Sequence, residues 1–188
     1  MHAIEPYDNW RNLYIAEEDE RSPFYGRKYS EFEFLNSIYD HYIHPQWDDF
    51  GSSTLYLKIL YADYDDRFAI IELLGEWNDY INNDIMFLKR NVIEKMTEEG
   101  IRKFVLIGEN ILNFHSSDDS YYQEWSEETE GGWIALLNVR PHILGEIHSA
   151  RLGEYIACGE HFSLINWRTY RPLQLQQLVE QVVGNERV

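Results

Sequence analysis

The chain is expected to fold as α/β, with a mixed sheet of four to six strands and helices mainly on one face. An N-terminal aromatic-rich extension and a C-terminal helix complete it. Three observations predict this. Apolar runs with strand periodicity recur from residue 54 onward, segments of helical periodicity lie between them, and Gly or Pro marks most of the junctions. A chain of 188 residues, 44% hydrophobic, is long enough for one domain with a sizeable core.

The elements follow in order. Thr54–Tyr61 alternates Leu55/Leu57/Ile59 against Tyr56/Lys58/Leu60 and reads as a strand. Phe68–Leu74, richer in Ile and Leu, is a second, more central one, and the short polar turn at 63–67 makes the pair a hairpin. Gly75–Asp79 reads as the end of that strand. Asn82, Asn83 or Asp84 can cap the helix that follows. Its stripe is Ile85, Leu88, Val92, Ile93 and Met96, and Gly100 fits the left-handed stop position. Lys103–Ile107 is a third strand, parallel to the second because a helix connects them. A polar loop over 108–119 leads to a short helix over 120–130. Trp133–Val139 is a fourth strand. Pro141 opens another helix, stopped at Gly153, and Tyr155–Cys158 is a short fifth strand, with Phe162–Trp167 extending or crossing that edge. Pro172 opens the terminal helix, which ends at Gly184.

Residues 1–53 differ. They are dense in aromatics and acids, and Ile38–Ile43 admits either a strand or a helical turn. Aromatic density argues for an ordered extension packed on the core, not a disordered tail. With no repeat or flexible linker visible, 1–53 and 54–188 form one globular unit.

The net charge of −17 disfavours nucleic-acid and anionic-membrane partners and suits a protein with a basic surface; plain solubility is the simpler use of the same charge. The single cysteine, Cys158, forms no internal disulfide or metal motif. The first residues show no basic-then-apolar leader, and the apolar runs are far too short to span a bilayer. These point to a reducing, cytoplasmic setting.

Motifs for chemistry are absent: no G-x-S-x-G, no G-x-x-x-x-G-K-[ST] and no G-x-G-x-x-G. The histidine pairs His41/His44 and His142/His148 lack metal-site spacing, so neither metal nor cofactor is expected. What remains is the segment Phe114–Ser120. His115, Ser116, Ser117, Asp118 and Asp119 are the candidate binding or switch residues, and the serines also suit a helix cap. The rival reading is a small-ligand site or enzyme in a cleft between the extension and the sheet. It uses Glu76, Asp79, His115 and Asp118, while Glu72 reads as a residue of the wet sheet face.

Residues 54–165 resemble the STAS (SpoIIAA-like, anti-sigma-factor-antagonist) family. The resemblance rests on the β-β-α-β-α-β-α-β order and on four stretches. They are IIELLGEWNDYINN at 70–83, EEGIRKFVL at 98–106, GGWIAL at 131–136 and ARLGEY at 150–155. The resemblance implies a regulatory, non-enzymatic module in which a partner kinase phosphorylates a serine after the third strand, ending partner binding. The family's Asp-Ser-Ser-Gly here becomes His115-Ser116-Ser117-Asp118: both serines are kept, and the acid and the glycine are replaced.

Overall fold

A computed structural model describes residues 3–186. Strands β1 (Ser37–Ile38) and β2 (His41–Tyr42) form a small hairpin. The main sheet takes β3 (Leu55–Asp63), β4 (Phe68–Asn78), β5 (Lys103–His115) and β6 (Trp133–Leu137), in the order β3-β4-β5-β6. The β3–β4 pair is antiparallel, with Asp63 opposite Phe68. The Asp63 carboxylate accepts the Asp65 and Asp66 N–H groups and closes the turn. The other two pairings are parallel, as the intervening helices require.

Both central strands run longer than the sequence suggests. Gly75 does not end β4. It sits at φ +118° inside the strand, where a β-carbon would lie 2.1 Å from the Thr54 carbonyl oxygen. It marks an irregularity of register, after which Glu76, Trp77 and Asn78 pair with Asn113, Phe114 and His115. Nor is Gly108 a break in β5. A β-carbon there would meet Val139 Cγ1 at 2.5 Å, so this glycine serves close packing within a continuous strand. The expected loop over 108–119 thus shrinks to residues 116–119. The expected fifth strand is a single parallel bridge, Ala135 with Ala157. A 3-10 turn at Leu152–Glu154 precedes it and Gly159, at φ +147°, follows, which leaves room for only two main-chain bonds. Residues 162–167 lie between and within 3-10 turns, not on a strand.

The inner sheet face packs Leu57, Ile71, Phe104 and Leu136 against the crossover helices. The first crossover begins with the one-turn α1 (Asp79–Asn82). Asn78 caps it, its side-chain oxygen accepting the Ile81 N–H. Then α2 (Asp84–Leu88), a π turn (Lys89–Ile93) and α3 (Glu94–Glu98) run on as one helix. Ile85, Leu88, Val92, Ile93 and Met96 are all buried, as their spacing predicts, and Gly100 has φ +100° just past the end. Helices α4 (Ser120–Glu128) and α5 (Pro141–Ser149) complete this layer. The stop after α5 is Arg151 at φ 58°, not Gly153.

The outer face is covered too. Leu175, Val179 and Val183 of α6 (Pro172–Glu186), which runs past Gly184, pack with Trp10, Phe162 and Trp167 on Ile70, Val105 and Ala135. Farther along the same face, Ile38, Ile43 and Trp47 cover Tyr56 and Leu74. The aromatics of residues 3–53 therefore divide: Trp10, Phe24, Trp47 and Phe50 are buried, while Tyr25, Phe32 and Tyr39 face solvent.

The π turn aims Lys89 inward. Its ammonium meets Glu128 at 2.8 Å, Glu94 at 3.2 Å and Glu124 at 3.4 Å, joining the first crossover to α4. Burial opposes the charge, but hydrogen bonds to Glu128 and Glu94 outweigh it and raise the Lys89 pKa. These three carboxylates lie close enough to hold a metal ion, but Lys89 already brings a cation to them.

Two substitutions check these points. Gly75→Ala is expected to lower unfolding stability by at least about 2 kcal/mol in urea titration, from left-handed strain plus the Thr54 clash. Lys89→Met should cost about 1–2 kcal/mol, less than a fully buried pair, because its carboxylate partners are part-exposed and can rehydrate.

Candidate functional site

The sheet geometry fixes where each sequence candidate falls. His115 is the last residue of β5, level with Asn78 at the end of β4. Ser116 is half-buried, and Ser117, Asp118 and Asp119 are exposed. Neither serine caps α4. Asp118 does the local work: its carboxylate accepts the Ser120 N–H at 3.0 Å and the Ser120 hydroxyl, which hold its pKa below the usual range. Asp119 accepts a bond from the Tyr155 hydroxyl at 2.9 Å. The two serine hydroxyls make no side-chain hydrogen bond among the described residues.

His115 and Ser116 share an open depression of about 540 Å³ with Asn78, Tyr80, Ile81 and the end of α5. Tyr80 and Ile81 stand on α1 with 80% and 76% of their surface exposed. Sequence reasoning missed them, although a signal existed: two large apolar residues flanked by Asn78-Asp79 and Asn82-Asn83, off the stripe of the following helix. Glu146 of α5 lines the same depression, and Asp118 and Asp119 lie beyond it in the chain.

Two of the rival residues, Glu76 and Asp79, are each engaged by their own partners. Glu76 accepts bonds from Tyr39 Oη and, at 3.0 Å, from Asn113 Nδ2, tying the β1–β2 hairpin to the sheet. Asp79 is buried and fully engaged. It accepts from Trp77 Nε1 and the Ile85 N–H, both at 2.8 Å, and from the Tyr122 hydroxyl. Burial raises its pKa to about 6, against the pull of those donors. A cleft between the N-terminal segment and the sheet does exist, at about 380 Å³, but Glu76, Asp79, His115 and Asp118 are not among the residues that line it.

Glu72 corrects another expectation. It is 1% exposed, on the outer face, which is covered and not wet. Its Oε2 accepts the Tyr7 N–H at 2.8 Å, clasping the N-terminal segment to the sheet. Burial pushes its pKa up to about 7; the Tyr7 N–H and Arg168 oppose the rise, and Glu109 adds to it. Cys158 is half-buried, and burial lifts its thiol to about 11, away from a reactive thiolate.

No protein-family model matches this chain, and no curated protein matches it. Among solved structures it is similar to two of SpoIIAA. The anti-sigma factor antagonist SpoIIAA in its unphosphorylated form matches at 12% identity and TM-score 0.42, over 61% of this chain and 98% of that one. The Bacillus cell fate determinant SpoIIAA in the phosphorylated form matches at 14% identity and TM-score 0.37, over 55% and 91%. No helix among the described residues is long and apolar enough to cross a membrane.

The Glu72 carboxyl makes stability depend on pH. Its folded pKa of about 7 exceeds the unfolded value of 4.5, so the folded state holds the extra proton between them. Stability is therefore expected to fall as pH rises from about 4.5 to 7, by up to about 3 kcal/mol, and to level off above. Glu72→Gln, which keeps an acceptor for Tyr7, should reduce this slope, leaving the share that Asp79 contributes below about pH 6, and raise Tm at pH 8 more than at pH 5. Equal effects at both pH values would remove Glu72 as the cause.

Proposed function

We propose that this protein is a non-enzymatic regulatory module that binds a protein partner through the surface formed by Asn78–Ile81 and His115–Asp119. The observation that carries this reading is the exposure of Tyr80 and Ile81 at the rim of the depression that holds His115 and Ser116. Large apolar side chains are rarely left this bare side by side, and aromatics flanked by polar groups are what interface centres use. Glu146, Asp118 and Asp119 near this rim, on a chain of net charge −17, favour a partner with a basic surface. Residues 1–53 and 54–188 act as one unit in this reading, in a reducing compartment.

A phospho-switch fits the same surface. Ser117 is exposed and its hydroxyl is not committed to the α4 cap. A phosphate there would add about −1.5 to −2 charge beside Asp118 and Asp119. Like-charge repulsion would then loosen the Asp118–Ser120 bonds that shape the entry to α4. Departure of that loop from its bound shape would release the partner.

A photo-crosslinking amino acid at position 80 tests this in cells, with the same group at the exposed Leu164 as reference. A discrete partner with a basic surface is expected from position 80 and not from 164. Ile81→Lys should weaken the purified complex about 30-fold or more, as hot-spot losses do. Unfolding stability should stay within about 0.5 kcal/mol. Identical capture from both positions, or turnover of substrates in a broad hydrolase and transferase screen, would sink the module reading.

A further inference from the structure

Tyr39 stands at the tip of the β1–β2 hairpin, where Ile38 pairs with His41 and leaves a turn of two residues, Tyr39 and Asp40. Its φ of 53° lies in the left-handed region. Two-residue turns with that conformation at their first position favour glycine, because a β-carbon is strained there. A tyrosine is thus held in glycine's place, and burial does not repay the strain: 67% of the residue is exposed. Its hydroxyl donates to Glu76 Oε1, which also accepts from Asn113 Nδ2. A strained backbone under a bare ring is the kind of outlier that marks functional positions.

Glu76 is where the hairpin and α1 meet. Ile38 packs with Leu74 and lies against Gly75, while Tyr39 reaches Glu76, so the hairpin tip is directed toward the end of β4. The chain of α1 returns to the same residue. Asn82 Nδ2 donates to Thr54 Oγ1, and Thr54 Oγ1 donates to the Glu76 carbonyl oxygen, both at 3.0 Å. Tyr80 and Ile81 directly precede Asn82 on that turn. Asn78, which lines the depression, is two residues past Glu76, about 7 Å along a strand. Residues two apart share a sheet face, so Glu76 and Asn78 both lie on the outer side, opposite Trp77 of the inner core. Tyr39 and the Tyr80–Ile81 pair therefore flank one residue at one end of the sheet.

We propose that Tyr39 is a binding residue of the surface around Tyr80 and Ile81, so that one partner is gripped from two sides of Glu76, by the hairpin tip and by α1. This inference rests on the protein-binding reading of that surface and extends it to the N-terminal region. The occupant is a single protein with a basic surface. Asp40 beside the ring and Glu146 in the lining of the depression are exposed and form no ion pair among the described residues, so both are open to Lys or Arg of the partner. A tyrosine ring adds a large contact for little lost rotamer freedom and stacks well on Arg. The tie to Glu76 fixes the ring before binding, which lowers the cost of ordering it on contact.

The test places a photo-crosslinking aromatic residue at position 39 of the full chain, beside the same group at positions 80 and 164. One and the same protein is expected from 39 and 80, and not from 164. The protein captured from position 80 is then purified and serves as the probe for two variants. Tyr39→Phe keeps the ring and loses the bond to Glu76; Tyr39→Asn suits the left-handed turn and loses the ring. The probe should bind Tyr39→Phe within about threefold of wild type and Tyr39→Asn at least about tenfold more weakly. Tyr39→Asn should nevertheless unfold at a urea concentration no lower than Tyr39→Phe, a split that a merely structural tyrosine does not produce. Capture from position 80 alone, or of a different protein from 39, overturns this inference and leaves the module reading standing. Capture from neither position overturns both. Wild-type affinity in Tyr39→Asn, or equal losses in the two variants, overturns the role of the ring.

Discussion

The structure depends on burying β4 and β5 on both faces. Ile70 and Ile71 of β4, and Val105 and Leu106 of β5, point to opposite sides and are all fully buried. Crossover helices can cover one side only, because both parallel connections return over the inner face. Something else must cover the outer face, and two further parts of the chain do this: α6 from one side, and Tyr7, Trp10, Ile38, Ile43 and Trp47 from the other. Cores of this depth strongly favour a full cover, since exposed Ile and Val cost about 1.5–3 kcal/mol each. The terminal regions are therefore structural partners of the central strands.

Covering a sheet with chain ends leaves seams, and the polar side chains of the outer face gather there. Lys58 and Glu72 are directly opposite each other on β3 and β4. Each is taken up by the N-terminal region instead: Lys58 by Glu17 and Tyr29, Glu72 by the Tyr7 N–H. Glu109, which receives Trp167 Nε1 and Arg168, extends the row toward the C-terminal region. A buried carboxyl is tolerable because it can take up a proton, which is the origin of the raised Glu72 pKa. The cavity beside Lys58 lies along the same seam, where two irregular segments meet an edge strand and neither fills the corner.

Much of the sheet was legible because its elements obey simple periods. The hairpin, the first crossover stripe, the Gly100 stop and the helix after Pro141 all follow from local rules. The misplaced ends of β4, β5, α5 and α6 share one cause, the treatment of glycine as punctuation. Gly75 and Gly108 are inside strands because Thr54 in one case and Val139 in the other come too close for a side chain, a fact that only the fold reveals. Reading them as ends cut both strands short and made a loop of Glu109–His115. The candidate site was half legible. His115 and Ser116 do border a surface depression, whereas Asp79, a candidate of the rival cleft, is engaged by Trp77, Ile85 and Tyr122. Tyr80 and Ile81 were passed over although their polar flanks and their place off the helix stripe marked them, because exposure itself has no periodicity to read.

The π turn at Lys89–Ile93 has a consequence for the length of the first crossover. Ordinary α-helical rotation is about 100° per residue. The wider turn keeps two stretches, Ile85–Leu88 before it and Ile93–Met96 after it, on the sheet side together. An ordinary α turn, one residue shorter, would hold the same two stretches on the sheet side, so the extra residue is not needed to fill the core. What the wide turn adds is the place of Lys89, fully buried where Glu94, Glu124 and Glu128 meet its ammonium. The residue count of this connection thus serves an ion pair, with a cation held inside the protein as its ruler.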